Sequence, residues 1–453
     1  MTAQSEATGS CFGSGRVQEV GPLPGFAMAD RLDPFWDGTW STGSSGVWAS
    51  SDTARRLSDA GIARVPWYLR GERDDGLSFL TRRMPSRRRM VLAGLGAVNQ
   101  WRTMTVEQLA AITGFSSLAS RANPWLRAAF STGIVDVGEF ATPLPHGSGS
   151  HRYRLVRPSR SSVFDRELAA HMTFDELVLV TGGVPWDARR QFDRHNLLAT
   201  ELGLRVAELC DVATVLGEKL STLDLLLQAP AEAITPRSRA RSADLAIVRP
   251  DGLRIAVEIT ASANPGLRRK IDNWARALSR NPLATSGLIV LFVVCPPPDP
   301  AREVVRGGRS ASVVETVRRE VAAAVRRYPG TASDRVAGRM AVVRWDEWFP
   351  AARTSADGVH NLVASRPTGP PTAHAVNASR LWESAPLLDT SMVPFEPRIR
   401  SAMTAVAGNA SLLGGTPHWL RVPGAEPAVP ADRAARLVLA CSAEARAPTR
   451  NVA

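Results

Sequence analysis

The stretch Arg241-Ser-Ala-Asp-Leu-Ala-Ile-Val-Arg-Pro-Asp-Gly-Leu-Arg-Ile-Ala-Val-Glu-Ile-Thr260 holds two apolar runs joined by a turn, with one carboxylate on each run. It reads as a β-hairpin. Pro250-Asp251-Gly252 suits a three-residue loop, because proline presets φ for a type I turn and Gly252 can take the left-handed position that closes the bulge. Such a loop sets Arg249 opposite Leu253. Counting outward from that pair brings Asp244 opposite Glu258, and directly opposed residues point to the same face of a sheet. Thr260 shares that face, whereas Leu245, Ile247, Ile255 and Val257 line the other, apolar one. The two carboxylates therefore converge, and Arg241 and Arg254 are the candidates to balance their charge.

The chain has 453 residues, room for two or three domains, and its 44% hydrophobic content is ordinary for a globular protein. The longest apolar run, residues 287–295, is too short to span a bilayer, and the N-terminus lacks a basic flank followed by an apolar segment. The expectation is a cytoplasmic protein without a membrane segment. Cys11, Cys210, Cys295 and Cys441 lie far apart and read as free thiols rather than as metal ligands or a disulfide framework. A formal charge of +12, from 55 basic against 43 acidic residues, favours a polyanionic partner, with nucleic acid ahead of an anionic membrane. Nearly all of this charge is arginine, since Lys219 and Lys270 are the only two lysines.

Residues 1–60 are rich in Gly, Ser and Asp and lack a sustained period, so they are expected to form a mostly disordered arm carrying Trp36, Trp40 and Trp48. A basic cluster with Arg82, Arg83, Arg87, Arg88 and Arg89 then leads into an apolar helix. Arginines at a helix start oppose its dipole, so an anionic partner explains them better than helix stability does. Thr105 can cap a short helix that Gly114 ends, and a second helix runs to Gly133. Two strands follow, around a loop at residues 141–150. For residues 85–158 this order is that of a winged helix-turn-helix. Pro124 falls within the presumed recognition helix and either starts or kinks it. Arg121 and Arg127 are then the groove or phosphate contacts, and Arg152, Arg154 and Arg157 the grip of the wing on the backbone of double-stranded DNA.

Residues 187–350 give a long amphipathic helix, with His195 and Glu201 toward its polar side, then the hairpin, a helix near 265–279, a buried strand near 287–294, another helix and a last strand. An α/β domain with a mixed central sheet follows from this order. Residues 351–453 are Ala/Pro/Arg-rich and aperiodic, and are expected to be a largely disordered tail.

Two facing carboxylates make a hard-oxygen pair suited to Mg²⁺ or Mn²⁺ held with waters and a substrate phosphate, an arrangement that serves phosphodiester hydrolysis. Here the residues resemble the PD-(D/E)xK nuclease superfamily, which implies a restriction-endonuclease-like αβββαβ core, joined to the winged helix in one α/β plus α+β chain. Asp244 matches the first carboxylate of the motif and Glu258 the second. Thr260 stands where the lysine is expected, and the resemblance allows that lysine to migrate to the next helix, where Lys270 lies beside Arg268 and Arg269. It also matches Glu201 to a carboxylate on the preceding helix. His195 is expected to be structural.

Winged helix and core together are similar to the replication-relaxation family of plasmids and mobile elements, including those of actinobacteria. The pieces that carry the likeness are residues 243–248, 256–260 and 267–274. The resemblance implies a DNA-binding accessory protein in replication control or conjugative mobilisation, with a relaxase or another transfer protein as partner. The alternatives are a Mg²⁺-dependent endonuclease or nickase and a transcriptional repressor.

Overall fold

A computed structural model describes residues 21–37, 40, 46–140, 154–160, 162–186, 193–227, 242–263, 265–296, 312–368, 382–396 and 413–421. They build a mixed α/β architecture on two sheets. The first sheet contains β1 (Gly46–Ala49), β2 (Met104–Thr105), β3 (Val135–Phe140) and β4 (Arg154–Pro158), in the order β1-β3-β4-β2, with every pair antiparallel. Helices α1 (Ser51–Asp59), α2 (Arg73–Thr81), α3 (Pro85–Trp101), α4 (Val106–Thr113) and α5 (Pro124–Ser131) accompany it.

Local chemistry explains the helix ends. Thr105 and Gln108 exchange side-chain and backbone bonds in a capping box at α4, and Gly114 ends that helix at φ 81°. Asn123 Oδ1 accepts from the Trp125 amide, with Pro124 in the first turn, so the proline starts α5 and does not kink it.

The second sheet has seven strands, β5 (Thr214–Gly217), β6 (Leu245–Val248), β7 (Arg254–Thr260), β8 (Leu288–Val294), β9 (Met340–Arg344), β10 (Val363–Pro367) and β11 (Trp382–Pro386), lying in reverse numerical order across the sheet. β5, β6 and β7 form an antiparallel meander, β7, β8 and β9 run parallel, and β10 and β11 return antiparallel. Helix α6 (Phe174–Thr181) precedes this unit, and α7 (Asp193–Leu209) packs on the sheet face formed by Leu245, Ile247, Ile255 and Val257. Helices α8 (Pro265–Arg280) and α9 (Val313–Arg327) cover the opposite face, against Ala246, Val248 and Ala256. The face expected to carry the carboxylates is thus roofed by helices.

The hairpin register agrees with the turn chemistry. Leu245 pairs with Val257 and Val248 with Arg254, the Arg249 amide donates to the Leu253 carbonyl at 2.8 Å, and Gly252 sits at φ 89°.

Two expectations need correction. The described part of the arm is ordered: β1 extends the first sheet at β3, and residues 26–37 pack against α7 and the segment after β9. Trp36 Nε1 donates to the Phe349 carbonyl, Trp40 Nε1 to Cys295 and Trp48 Nε1 to Asp193, so the scattered tryptophans dock on their own chain. Beyond residue 350, β10 and β11 complete the large sheet, and residues 413–421 lie on α3 and α4. Low hydrophobic periodicity hid these segments because each is held by a few large side chains and backbone bonds rather than by an amphipathic stripe.

Candidate functional site

Asp244 precedes β6 and Glu258 lies late in β7, so both carboxylates stand at one end of the seven-stranded sheet. α8 starts just past that end and brings Lys270 in its second turn. The Lys270 ammonium forms an ion pair with Glu258 Oε2 and lies 3.9 Å from Asp244 Oδ2. Trp274, one turn further along α8 and so on the same face, donates its indole N–H to Glu258 Oε1. From the opposite face of the sheet, His195 on α7 puts Nε2 3.0 Å from Asp244 Oδ2, and the Ile259 amide donates to that same oxygen at 2.7 Å.

Glu258 is fully buried, while the Asp244 side chain is 17% exposed and that of Lys270 39%. Burial pushes the Glu258 carboxyl up to about 7; Lys270 opposes this and Asp244 adds to it. Asp244 moves the other way: burial would raise it, but His195, Lys270 and the Ile259 amide hold it below the usual carboxylate range. Burial would lower Lys270, yet the two carboxylates outweigh it and raise the amine above its ordinary value. His195 is raised as well, with Asp244 overcoming its burial. Of two adjacent carboxylates, Asp244 therefore stays ionised and Glu258 takes up a proton first.

Charge balance comes from Lys270 and His195 rather than from the arginines expected. Arg254 is buried and turns to the Leu225 and Ser286 carbonyls, and Arg241 lies outside the described residues. Glu218, just after β5, adds a carboxylate to this neighbourhood and raises Lys270 further; it accepts from Asn196 Nδ2 at 3.0 Å. The sequence reading missed Glu218 because β5 is too short to stand out, and it left His195 apart from Asp244. The Lys270 and Trp274 spacing of one helical turn was the available signal for the α8 contribution.

Glu201 is not part of this centre. It is fully buried among Arg31, Arg205 and Gln108, accepting from Arg31 at 3.0 and 3.1 Å and from Arg205 at 3.0 Å. Burial would raise its carboxyl, but the two guanidiniums hold it down at about 2. The other lysine, Lys219, donates to the Pro185 carbonyl.

The arginines expected to meet DNA divide sharply. Arg88 is buried, paired with Glu176 and bonded to the Leu80 carbonyl, and Arg154 is buried against the Ala119 and Ser120 carbonyls. Arg87 lies half-buried over the Phe79 ring, and Arg127 is half-buried against Gly71. Arg89 and Arg121 are exposed, and Arg152 lies outside the described residues. Arg157 pairs with Asp136 and Asp193 and covers the Trp48 ring at 4.0 Å. In α5 the residues Trp125, Leu126 and Ala128 to Ser131 are all buried. Packing against α2 and the turn at Trp67–Leu69 leaves only Pro124 exposed and Arg127 half-buried on this helix, a narrow face for a groove.

The chemistry of the donors can be tested against a divalent ion. Asp244 and Glu258 offer hard oxygens, and a cationic ammonium, that of Lys270, already sits between the pair on Glu258 Oε2. The residues fit a small divalent cation whose remaining ligands are water and phosphate oxygens. Among the described residues no cluster of three or more His, Cys, Asp or Glu side chains is arranged to enclose an ion.

No protein-family model, curated protein or solved structure matches the chain. Among the described residues no helix is long and apolar enough to cross a membrane.

Proposed function

We propose that the chain acts on DNA through a phosphodiester-hydrolysing centre formed by Asp244, Glu258 and Lys270, as a PD-(D/E)xK-like nuclease. The observation that carries this reading is the convergence of two carboxylates and a lysine drawn from three successive elements. The order α7, β5, β6, β7, α8, β8 supports an αβββαβ core, and the order α3, β2, α4, α5, β3, β4 supports a winged-helix unit.

A bound Mg²⁺ or Mn²⁺ would supply Lewis acidity toward a phosphate oxygen and an acidified water. Asp244, already ionised, and Glu258, on losing its proton, would hold that ion. Lys270 would neutralise charge building on the phosphoryl oxygens as the water oxygen bonds to phosphorus and the bond to the leaving sugar oxygen breaks. The attacking water gives up its proton to solvent, and the leaving oxygen takes one up from solvent. His195 and the Ile259 amide fix the Asp244 carboxylate, and Trp274 fixes Glu258, so neither ligand must reorganise.

Incubation of supercoiled plasmid with the full chain and Mg²⁺ or Mn²⁺ tests this reading. Nicked or linear product that disappears in Asp244→Ala is expected; absence of cleavage, or cleavage that persists in that variant, overturns it.

A second reading is an accessory DNA-binding protein of plasmid replication control or mobilisation that does not cleave. The Lys270 ammonium that already sits between the two carboxylates, where an ion would bind, favours it. An operator-reading repressor has less support, because α5 is covered.

A further inference from the structure

We propose that a DNA duplex docks by its phosphate backbone on the outer face of α8 and α9, not on the helix pair α4 and α5. The proposal rests on the nuclease reading for its purpose, because this face leads directly to Lys270.

The two helices follow successive parallel strands and pack side by side on the same face of the sheet. Contacts between them run in step, from Arg268 with Glu320, through Asp272 with Arg327, to Arg276 with the Tyr328 hydroxyl. The helices therefore lie parallel, with their N-terminal ends toward the carboxylate end of β7. They are 16 and 15 residues long and carry nine basic against three acidic side chains. Their surplus of six is half of the +12 of the whole chain.

Part of this charge is neutralised, Lys270 by Glu258 and Asp244 and Arg327 by Asp272, and the rest is poorly matched. Glu320 serves two arginines, Arg268 at 3.9 Å and Arg319 at 3.7 Å, whose side chains remain 66% and 62% exposed. Arg269, Arg280 and Arg326 are exposed and meet no carboxylate among the described residues. Arg269 adjoins Lys270, and Arg280 lies three turns further on, so positive charge runs about 16 Å along the helix from the reacting centre. That length spans several phosphates of a duplex, which presents one charge per ~1.7 Å of axis.

An anionic membrane fits this face less well. Surface-lying helices insert large apolar side chains, whereas the exposed large hydrophobics Val47, Leu57, Ile62, Trp67, Met84, Phe174 and Met392 all lie outside α8 and α9. Exposed arginine without exposed apolar bulk is the composition of a phosphate-tracking surface.

The test measures binding of a fluorescent 20-base-pair duplex to the full chain in EDTA, across a salt series, beside cleavage of plasmid in Mg²⁺. The triple variant Arg269→Glu/Arg280→Glu/Arg326→Glu should weaken binding by about tenfold or more and flatten the salt slope by about 2 to 3. The milder Arg269→Gln/Arg280→Gln/Arg326→Gln set should show the same direction with an unchanged melting curve, which separates docking from misfolding. Arg56→Glu/Arg64→Glu/Arg166→Glu, an equal charge change at exposed positions elsewhere, should cost much less. An equal loss in that control, unchanged binding in the first two variants, or tighter binding to an RNA duplex or to anionic vesicles overturns the proposal. Wild-type cleavage with undiminished binding of the variants removes the docking face and leaves the nuclease reading intact. Lost binding in the variants beside a wild type that never cleaves does the reverse.

Discussion

His195 and Lys270 reach the same oxygen of Asp244 from opposite faces of the seven-stranded sheet, at 3.0 and 3.9 Å. Their helices, α7 and α8, belong to different packing layers, so the carboxylate is clamped at the sheet's end by both. A group held from two rigid elements keeps its orientation at little entropic cost when substrate arrives.

Lys270→Ala should therefore lower plasmid cleavage by about 10² to 10³-fold, the loss typical of removing one donor aimed at developing charge. Lys270→Arg should restore part of the rate, since charge returns but not the compact ammonium geometry. A rate unchanged in Lys270→Ala would remove this lysine from the chemistry.

His195 touches Asp244 and plays the part of an outer support. His195→Ala is expected to weaken Mn²⁺ binding by about 10 to 100-fold, as measured by titration calorimetry, with the fold intact by circular dichroism. Unaltered Mn²⁺ affinity would leave His195 a packing residue.

Acid stability should report the buried Arg31–Glu201–Arg205 group. Glu201 titrates at about 2 in the folded chain against an ordinary 4.5, so its contribution is complete above 4.5 and is lost as pH falls through 2. The shift corresponds to about 3 kcal/mol. Glu201→Gln should destabilise the chain by about 3 to 5 kcal/mol at neutral pH, because two buried guanidiniums lose their shared partner. It should also flatten the fall in denaturant midpoint between pH 4.5 and 2. A slope equal to wild type over that interval would refute the assignment.

The hairpin was legible because its loop residues admit few conformations: Pro250 and Gly252 fix the turn, the turn fixes the register, and the register sets Asp244 against Glu258. Lys270 was legible only as a rarity, one of two lysines on a helix that had to pass near. Glu201 misled because a carboxylate on an amphipathic helix looks solvent-facing until its partner is known, and Arg31 arrives from 170 positions away. The same long reach makes Arg88 and Arg154 structural: their carboxylate or carbonyl partners come from other elements, which local composition does not reveal. β5 and the strands after residue 350 escaped notice because strands of four or five residues with mixed side chains carry almost no periodic signal.

The joint between the two sheets offers a final test. Trp101 ends α3, and its ring lies against the α carbons of Gly203 in α7 and Gly217 at the end of β5, so closely that a Cβ at Gly203 would lie 2.4 Å from its Cη2. Its Nε1 donates to the Gly415 carbonyl, which tethers the ring. Gly203→Ala in a free helix would stabilise by about 1 kcal/mol through propensity. Here overpacking should prevail and cost about 1 to 3 kcal/mol, read as a lowered denaturant midpoint. Trp101→Phe shortens the ring and forfeits the bond to Gly415, so alone it too should destabilise. Combined with Gly203→Ala it should recover more than additivity predicts, since the smaller ring makes room for the methyl group. Additive losses in that double-mutant cycle would mean that the two residues do not share one contact, and that α7 is set against α3 by other neighbours.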